Sequence, residues 1–341
     1  MYKKLMAMVL AGLVTSPVAL AQSNATVYGI VDAFFSYAKA GDNKRTGIDS
    51  GGAYGSRLGF RGTEDLGNGL KAVFTLEYAL SVDQNEGLGT GGLRARQQFV
   101  GLQGDLGFVG LGRQYAPGYA IARYDAAGGV PFGPQALLSG GAGATITPAS
   151  PARWNNAIAY KSPKFGSLTA EAIYSLGERN QDDNRRDGDR WALAGDYSSG
   201  PFEVGLKYHH GKEVAIGGGD QKEWGLGASY NFKVAALYAT YQTVKTDDTD
   251  KVWHLGVRVP ISSGRVYIAY GEHDAEDSGK GSSAATLGYI HTLSKRTSLY
   301  TAYTHVDNES NQNNPNIRPT GVTTMPGDNV DGIVVGMFHL F

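Results

Sequence analysis

The residues of this chain whose types and spacing could do chemistry are arginines. Arg57 and Arg61 lie on one side of the alternating run Ser56-Arg57-Leu58-Gly59-Phe60-Arg61, Arg94 and Arg96 are two apart, and Arg153 is followed further on by Lys161. A guanidinium stays protonated at any working pH. A row of them does electrostatic work: it lowers the barrier to anions and aligns polar solutes. The acids that could answer them are Asp32, Glu77 and Asp125. For any one arginine, a structural salt bridge to one of these acids is as good a reading as contact with a solute.

The groups that covalent chemistry needs are missing. There is no Cys, which removes thiolate ligands, thiol nucleophiles and disulfides together. Neither G-x-S-x-G nor H-E-x-x-H occurs. Gly87-Leu88-Gly89-Thr90-Gly91-Gly92 satisfies the dinucleotide fingerprint, but it precedes an alternating run and opens no helix, so it reads as a loop. Asp182-Asp183 and Asp247-Asp248-Thr249-Asp250 lack calcium-loop spacing and read as solvated loops, or as places where divalent cations bridge to lipid phosphates. No metal and no cofactor is called for. With 31 Lys plus Arg against 32 Asp plus Glu, a nucleic-acid partner is not indicated.

The elements that must position these side chains follow from a period of two that runs along the chain. Leu70, Ala72, Phe74, Leu76 and Tyr78 share one face, opposite Lys71, Thr75 and Glu77; the same pattern recurs at 168–176, 202–209 and 253–259, and the chain closes on the alternating stretch Ile333 to Phe341. Connections alternate between tight turns, such as Ser198-Ser199-Gly200-Pro201, and long charged or Gly-rich segments, as at 39–54, 81–92 and 307–329. About sixteen strands fit. Residues 1–21, with Lys3 and Lys4, an apolar run and Ala19-Leu20-Ala21, read as a secretory signal; residues 22–341 read as one β-structured unit. A soluble sandwich also alternates, but so many strands would divide into domains with linkers, and no linker divides this chain. The expected fold is all-β: a closed transmembrane antiparallel barrel, with apolar faces toward lipid and polar faces toward water. Its last strand should pair with its first, near 26–37.

The stretch from Ser56 to Gly69, with Val27-Tyr28-Gly29-Ile30-Val31-Asp32, Phe99-Val100-Gly101-Leu102, Leu111-Gly112-Arg113-Gln114-Tyr115 and the terminal Phe341, resembles the Gram-negative general porins over the whole mature chain. The resemblance implies a sixteen-stranded homotrimeric barrel in the outer membrane, among lipid and lipopolysaccharide. It also implies a third loop, about Tyr115 to Ala152, folded inward as a constriction, and a C-terminal aromatic read by the barrel assembly machinery. Arg57, Arg61, Arg96 and Arg153 match the family's basic ladder, with Arg94 and Lys161 on the same faces and Asp32, Glu77 and Asp125 as the facing acids. The family sets an acid in the loop stretch that Val130-Pro131-Phe132-Gly133 matches without one, which tilts the expectation toward small anions alongside other hydrophilic solutes. Arg113 falls on the outward face by parity and is expected to meet an acid from a neighbouring subunit, Glu86 for example. An outer-membrane hydrolase or an adhesin on a barrel is the alternative.

Overall fold

The computed structural model describes residues 24–85, 94–178, 186–215, 218–312 and 321–341. The expected signal segment, Glu86 and Asp182-Asp183 lie outside them. Seventeen strand segments among the described residues form one antiparallel sheet: β1 (Asn24–Ala40), β2 (Asn43–Ser50), β3 (Arg57–Gly67), β4 (Leu70–Ala79), β5 (Arg94–Gly104), β6 (Gly107–Tyr115), β7 (Arg153–Lys161), β8 (Leu168–Ser175) and β9 (Arg190–Ser199), followed by β10 (Phe202–Gly211), β11 (Gln221–Asn231), β12 (Ala236–Lys245), β13 (Thr249–Ile261), β14 (Gly264–Asp274), β15 (Ser282–Thr292), β16 (Thr297–Asn308) and β17 (Val330–Leu340). The sheet closes where β17 pairs with β1, from Ile30↔Leu340 to Ala40↔Val330. Closure pairs the two edges that an open sheet would leave in lipid, which is what a membrane-crossing sheet requires.

Seventeen segments make sixteen staves. One edge of β1 carries β2 along Ala33–Ala40 and β3 along Asn24–Ile30, so β2 and β3 are collinear halves of one stave. Between them residues 51–56 leave the wall and fold inward. Asp32 holds this segment: its carboxylate accepts the amides of Ala53 (2.8 Å) and Tyr54 (2.7 Å) and the hydroxyl of Tyr300 (2.6 Å). Gly52 has no substitute there, because a Cβ would collide with the Tyr300 hydroxyl. The long loop expected over 39–54 is thus strand to Ala40, a tight turn and strand again to Ser50. Alternation is broken there by basic and glycine residues whose pairing does not depend on an apolar face.

Side-chain parity gives the barrel an apolar exterior: Val100, Leu111, Ile158, Leu193, Leu226, Leu255, Ile268, Leu287 and Val335 are all about half exposed on the outer surface. In lipid this exposure satisfies the side chains. The core sits inside the barrel. There Ala126, Ala127, Val130, Phe132, Leu137 and Leu138 of the 116–152 loop pack on Phe34, Tyr267, Tyr300 and Phe338 of the wall. The loop contains a 3-10 turn (Pro117–Tyr124) and one short helix, α1 (Pro134–Gly141), each opened by a proline in its first turn.

Candidate functional site: the lumenal constriction

The 116–152 loop is fixed to one half of the wall by a continuous set of polar contacts. Glu223 on β11 accepts the amides of Thr145 and Ile146 (2.9 Å each at Oε2) and the Thr145 hydroxyl (2.7 Å at Oε1). His209 on β10 accepts the Gly118 amide at Nε2 (3.0 Å), so its Nδ1 carries the proton and donates to Thr145 Oγ1 (2.8 Å). The run from Gly118 through His209 and Thr145 to Glu223 is therefore one directed hydrogen-bond chain that ties both ends of the loop to adjacent strands. Further round, Tyr124 donates to Asp196 (2.6 Å), which also receives Lys207 Nζ (2.7 Å). Gln242 donates to the Ile146 carbonyl (2.6 Å), and the hydroxyls of Thr286 and Thr304 meet the Phe132 carbonyl (3.0 and 2.8 Å). Together these anchors cover β9 to β12, β15 and β16, while α1 packs against β13 and β14 between them.

Asp125 belongs to that anchored side. It is fully buried, with His254 Nε2 3.0 Å from Oδ1 and the amides of Ala127 (3.0 Å) and Gly129 (2.8 Å) on its carboxylate. Burial opposes its charge, but the His254 ring and the two amides outweigh that and hold the carboxyl below the usual carboxylate range. Arg258 clamps the same turn through the carbonyls of Asp125 and Ala126 while lying over the Tyr238 ring. The expectation that Asp125 faces the arginines is corrected: its partners lie on β13 and in its own turn. Asp32 is corrected likewise, being sealed behind residues 51–56.

The opposite wall gathers the basic residues around one acid. Glu77 receives Arg96 Nε (2.8 Å), Tyr28 Oη (3.1 Å) and, more distantly, Arg57 Nη1 (3.8 Å). Arg96 also donates to Tyr115 Oη (3.0 Å). Tyr115 and Tyr119 stack with centroids 3.9 Å apart, and the Arg153 guanidinium lies over both rings at 5.4 and 5.9 Å. One turn of the ladder lower, Arg61 lies over Tyr28 at 5.0 Å. Arg57, Arg61, Arg96 and Arg153 are thus brought together with Glu77, and tyrosine rings space them. The inward aim of Arg96 depends on a bulge: the β4–β5 register shifts between Glu77 and Tyr78, and without it the count back from Leu102 and Val100 would turn Arg96 toward lipid.

Three expected site residues stand elsewhere. Arg94 donates to Ser81 (3.0 Å) at the loop-side mouth of this wall. Lys161 pairs with Glu171 (2.5 Å) at the turn end of β7, roughly 26 Å along the strand from Arg153 by strand rise, which takes it out of the constriction. Arg113 is met within its own chain, by the carbonyls of Ala95 (3.1 Å) and Arg153 (3.2 Å) and by Asn155 Oδ1 (2.5 Å). These partners are neutral acceptors and supply no counter-charge, and Glu86 lies outside the described residues. The register shift between Gly112 and Gln114 puts its extra residue on β7, so Arg113 keeps the outward parity of Val109 and Leu111, in the unshifted row Leu102↔Val109, Val100↔Leu111, Gln98↔Arg113. Lys207, His209, Glu223 and Arg258 carry the site without having been singled out; their signal is a polar side chain of large volume on a strand at the water-facing parity, whereas Tyr119 comes from the 3-10 turn of the loop and has no such parity.

A closed antiparallel barrel with an apolar outer face, a charged lumen and one long loop pinned inside is a transmembrane β-barrel of the channel-forming class. A family model described as Gram-negative porin matches residues 7–311, and the chain belongs to that family. Outer membrane porin protein 32 of Delftia acidovorans is 35% identical, covering 97% of this chain and 98% of its own. An outer membrane porin protein of Bordetella pertussis is 29% identical over 83% of this chain and 88% of its own. Among solved structures, the anion-selective porin from Comamonas acidovorans superposes with a TM-score of 0.84 at 32% identity, over 94% of this chain and 100% of that one. Salmonella typhi OmpF, at 17% identity and a TM-score of 0.71 over 93% and 97%, shares the fold. The chain is an outer-membrane porin.

Proposed function

We propose that this porin is a passive, water-filled channel for ions and small hydrophilic solutes that favours anions. The observation that carries the reading is the charge imbalance at the constriction. Arg57, Arg61, Arg96 and Arg153 stand round Glu77, while Asp125 and Asp32 are turned away into buried contacts. The anion-selective porin that superposes best among those named supports it. Two charges ~8 Å apart at an effective dielectric near 20 interact by about 2 kcal/mol, enough to bias permeation more than tenfold before mobile ions screen it. In a dilute KCl gradient across a planar bilayer, the zero-current potential takes the sign for chloride preference and shrinks as salt rises. A cation-selective sign overturns the reading.

The functional unit is a homotrimer in this proposal. Val27, Val31 and Phe35 of β1 stand exposed beside Val335 and Met337 of β17, with Phe35 directly opposite Val335, as one apolar patch across the seam. Native mass measurement in mild detergent should give three chains, and monomers alone would count against it. Phe341 is proposed as the feature read by the barrel assembly machinery.

A further inference from the structure

The 116–152 loop turns one face to the wall and the other to the lumen. Gln135 and Leu138 of α1 meet the wall: Gln135 donates to Gln242 (2.9 Å), and a Cβ on Gly271 of β14 would come within 3.0 Å of Leu138. At about 3.6 residues per turn, Gly140 falls on the opposite side of the helix with Ala136 beside it. Gly140 is exposed and Ala136 partly so. On that lumenal side Gly129, Pro131, Ala136, Leu137, Pro148 and Pro151 line a recess of about 190 Å³. Its lining is apolar, and the Thr147 hydroxyl within it already receives that of Ser139 (3.0 Å). An apolar cavity of ~150 Å³ holds one benzene molecule. The recess therefore suits a single ring and little more.

A guanidinium stands beside it. Pro151 is two residues from Arg153, a reach of about 7 Å at full extension. From the other side, a Cβ on Gly129 would lie 2.7 Å from Ala122 and 2.9 Å from Pro148, so the 3-10 turn Pro117–Tyr124 packs on the recess. Tyr119, three residues before Ala122, shares its side of that turn. The Arg153 guanidinium lies over the Tyr119 ring at 5.9 Å. Arg96 and Arg57 reach Glu77, whereas Arg153 pairs with no acid among the described residues and its buried Nε has no hydrogen-bond partner.

We propose that this recess and Arg153 together bind monocarboxylates that carry one apolar ring, the benzoate class, as they pass the constriction. The inference rests on the anion-favouring channel argued above and names the solute class that channel holds best. The carboxylate takes the guanidinium that has no acid of its own, while the ring leaves water among the prolines and Ala136. A dicarboxylate is a poorer guest, because its second charge would enter an apolar recess without a partner.

The test is single-channel chloride current through the full-length porin in KCl at neutral pH, with benzoate, acetate or benzamide added. Benzoate should interrupt the current at a concentration about tenfold below that of acetate, the fold-change expected from burying one ring. Benzamide, which has the ring without the charge, should not match it. Gly140→Leu fills the recess from a helix position where a Cβ meets nothing within 4 Å. It should bring benzoate to the acetate level and leave acetate where it was, while Arg153→Gln should weaken both acids. Wild-type channels interrupted equally by benzoate and acetate, or equally by benzoate and benzamide, overturn the proposal whatever the variants do. So does a Gly140→Leu channel that keeps its benzoate preference. The zero-current potential is read on the same channels: a chloride sign without benzoate preference overturns the recess alone, and a cation sign overturns the anion reading beneath it.

Discussion

Glu77 is the acid that two arginines of the constriction wall reach, Arg96 at 2.8 Å and Arg57 at 3.8 Å, and its replacement separates its two roles. Its side chain and that of Arg96 are nearly buried. Glu77→Gln keeps the shape while leaving Arg96 without its counter-charge, and breaking such a pair costs about 3 kcal/mol or more. The variant should unfold at lower denaturant and should shift the zero-current potential further toward anions. Arg96→Ala leaves Glu77 with Arg57 and Tyr28, so it should weaken anion preference with a smaller loss of stability. If both variants move selectivity in the same direction, this wall does not set it. Of this site, parity made Arg57 and Arg61 legible in the sequence. Arg96 was legible as a charged residue on a strand, but its inward aim comes from a bulge at Glu77/Tyr78 that no residue type announces. The burial of Asp125 rests on His254, more than a hundred residues away, and so was invisible to any local pattern.

At the scale of elements, the loop and the strands are held by different physics. The strands are legible because each has one apolar face, and the period survives every turn. The loop is legible by composition: small, weakly charged residues over a length that strands of this chain never reach. The hidden part was the polar contacts, since Glu223, His209 and Gln242 look like ordinary water-facing side chains in sequence, and the inward fold of 51–56 carries no apolar signal. The directed chain from Gly118 to Glu223 predicts how the loop fails. Glu223→Ala strands two amides and a hydroxyl at once, and single-channel traces should show frequent sub-conductance flicker while heat-resistant barrel persists. Flicker-free traces would mean that the apolar contacts of Phe132 and Leu138 suffice. The Asp125 contact adds a pH dependence. Its folded carboxyl titrates below its unfolded value, so its contribution is fully present above the free carboxylate range near 4 and is lost as pH falls through the lower folded value. Flicker in the wild type should accordingly begin only at strongly acidic pH, and His254→Phe should bring it on at higher pH.

For the whole molecule, closure is settled at a single small residue. Gly29 and Phe341 exchange amide-to-carbonyl bonds at 3.1 Å in both directions, and the Phe341 ring covers Gly29 so closely that a Cβ there would collide with it. Gly29→Val should expel the ring and open the lower end of the seam, with a loss of folded barrel comparable to that of Phe341→Ser. Outer-membrane fractions probed by heat-modifiable mobility measure both. If Phe341→Ser is depleted and Gly29→Val is not, the aromatic acts as something read by other proteins and the packing over Gly29 is secondary.

Because the loop lies against β9 to β16 and residues 51–56 cover β1, the open water inside the barrel is off-centre and runs beside β3 to β7. A solute crossing it does not average over a circular wall. It slides past Arg153, Arg96, Arg57 and Arg61 on one flank with a nearly uncharged loop on the other, and so experiences a field directed across its path. Such a field turns dipoles before it attracts net charge. Among neutral solutes of equal size, those with the larger dipole moment should pass with narrower orientational freedom and at distinctly different rates, so that liposome-swelling assays would rank isomeric zwitterions by charge separation and not by volume.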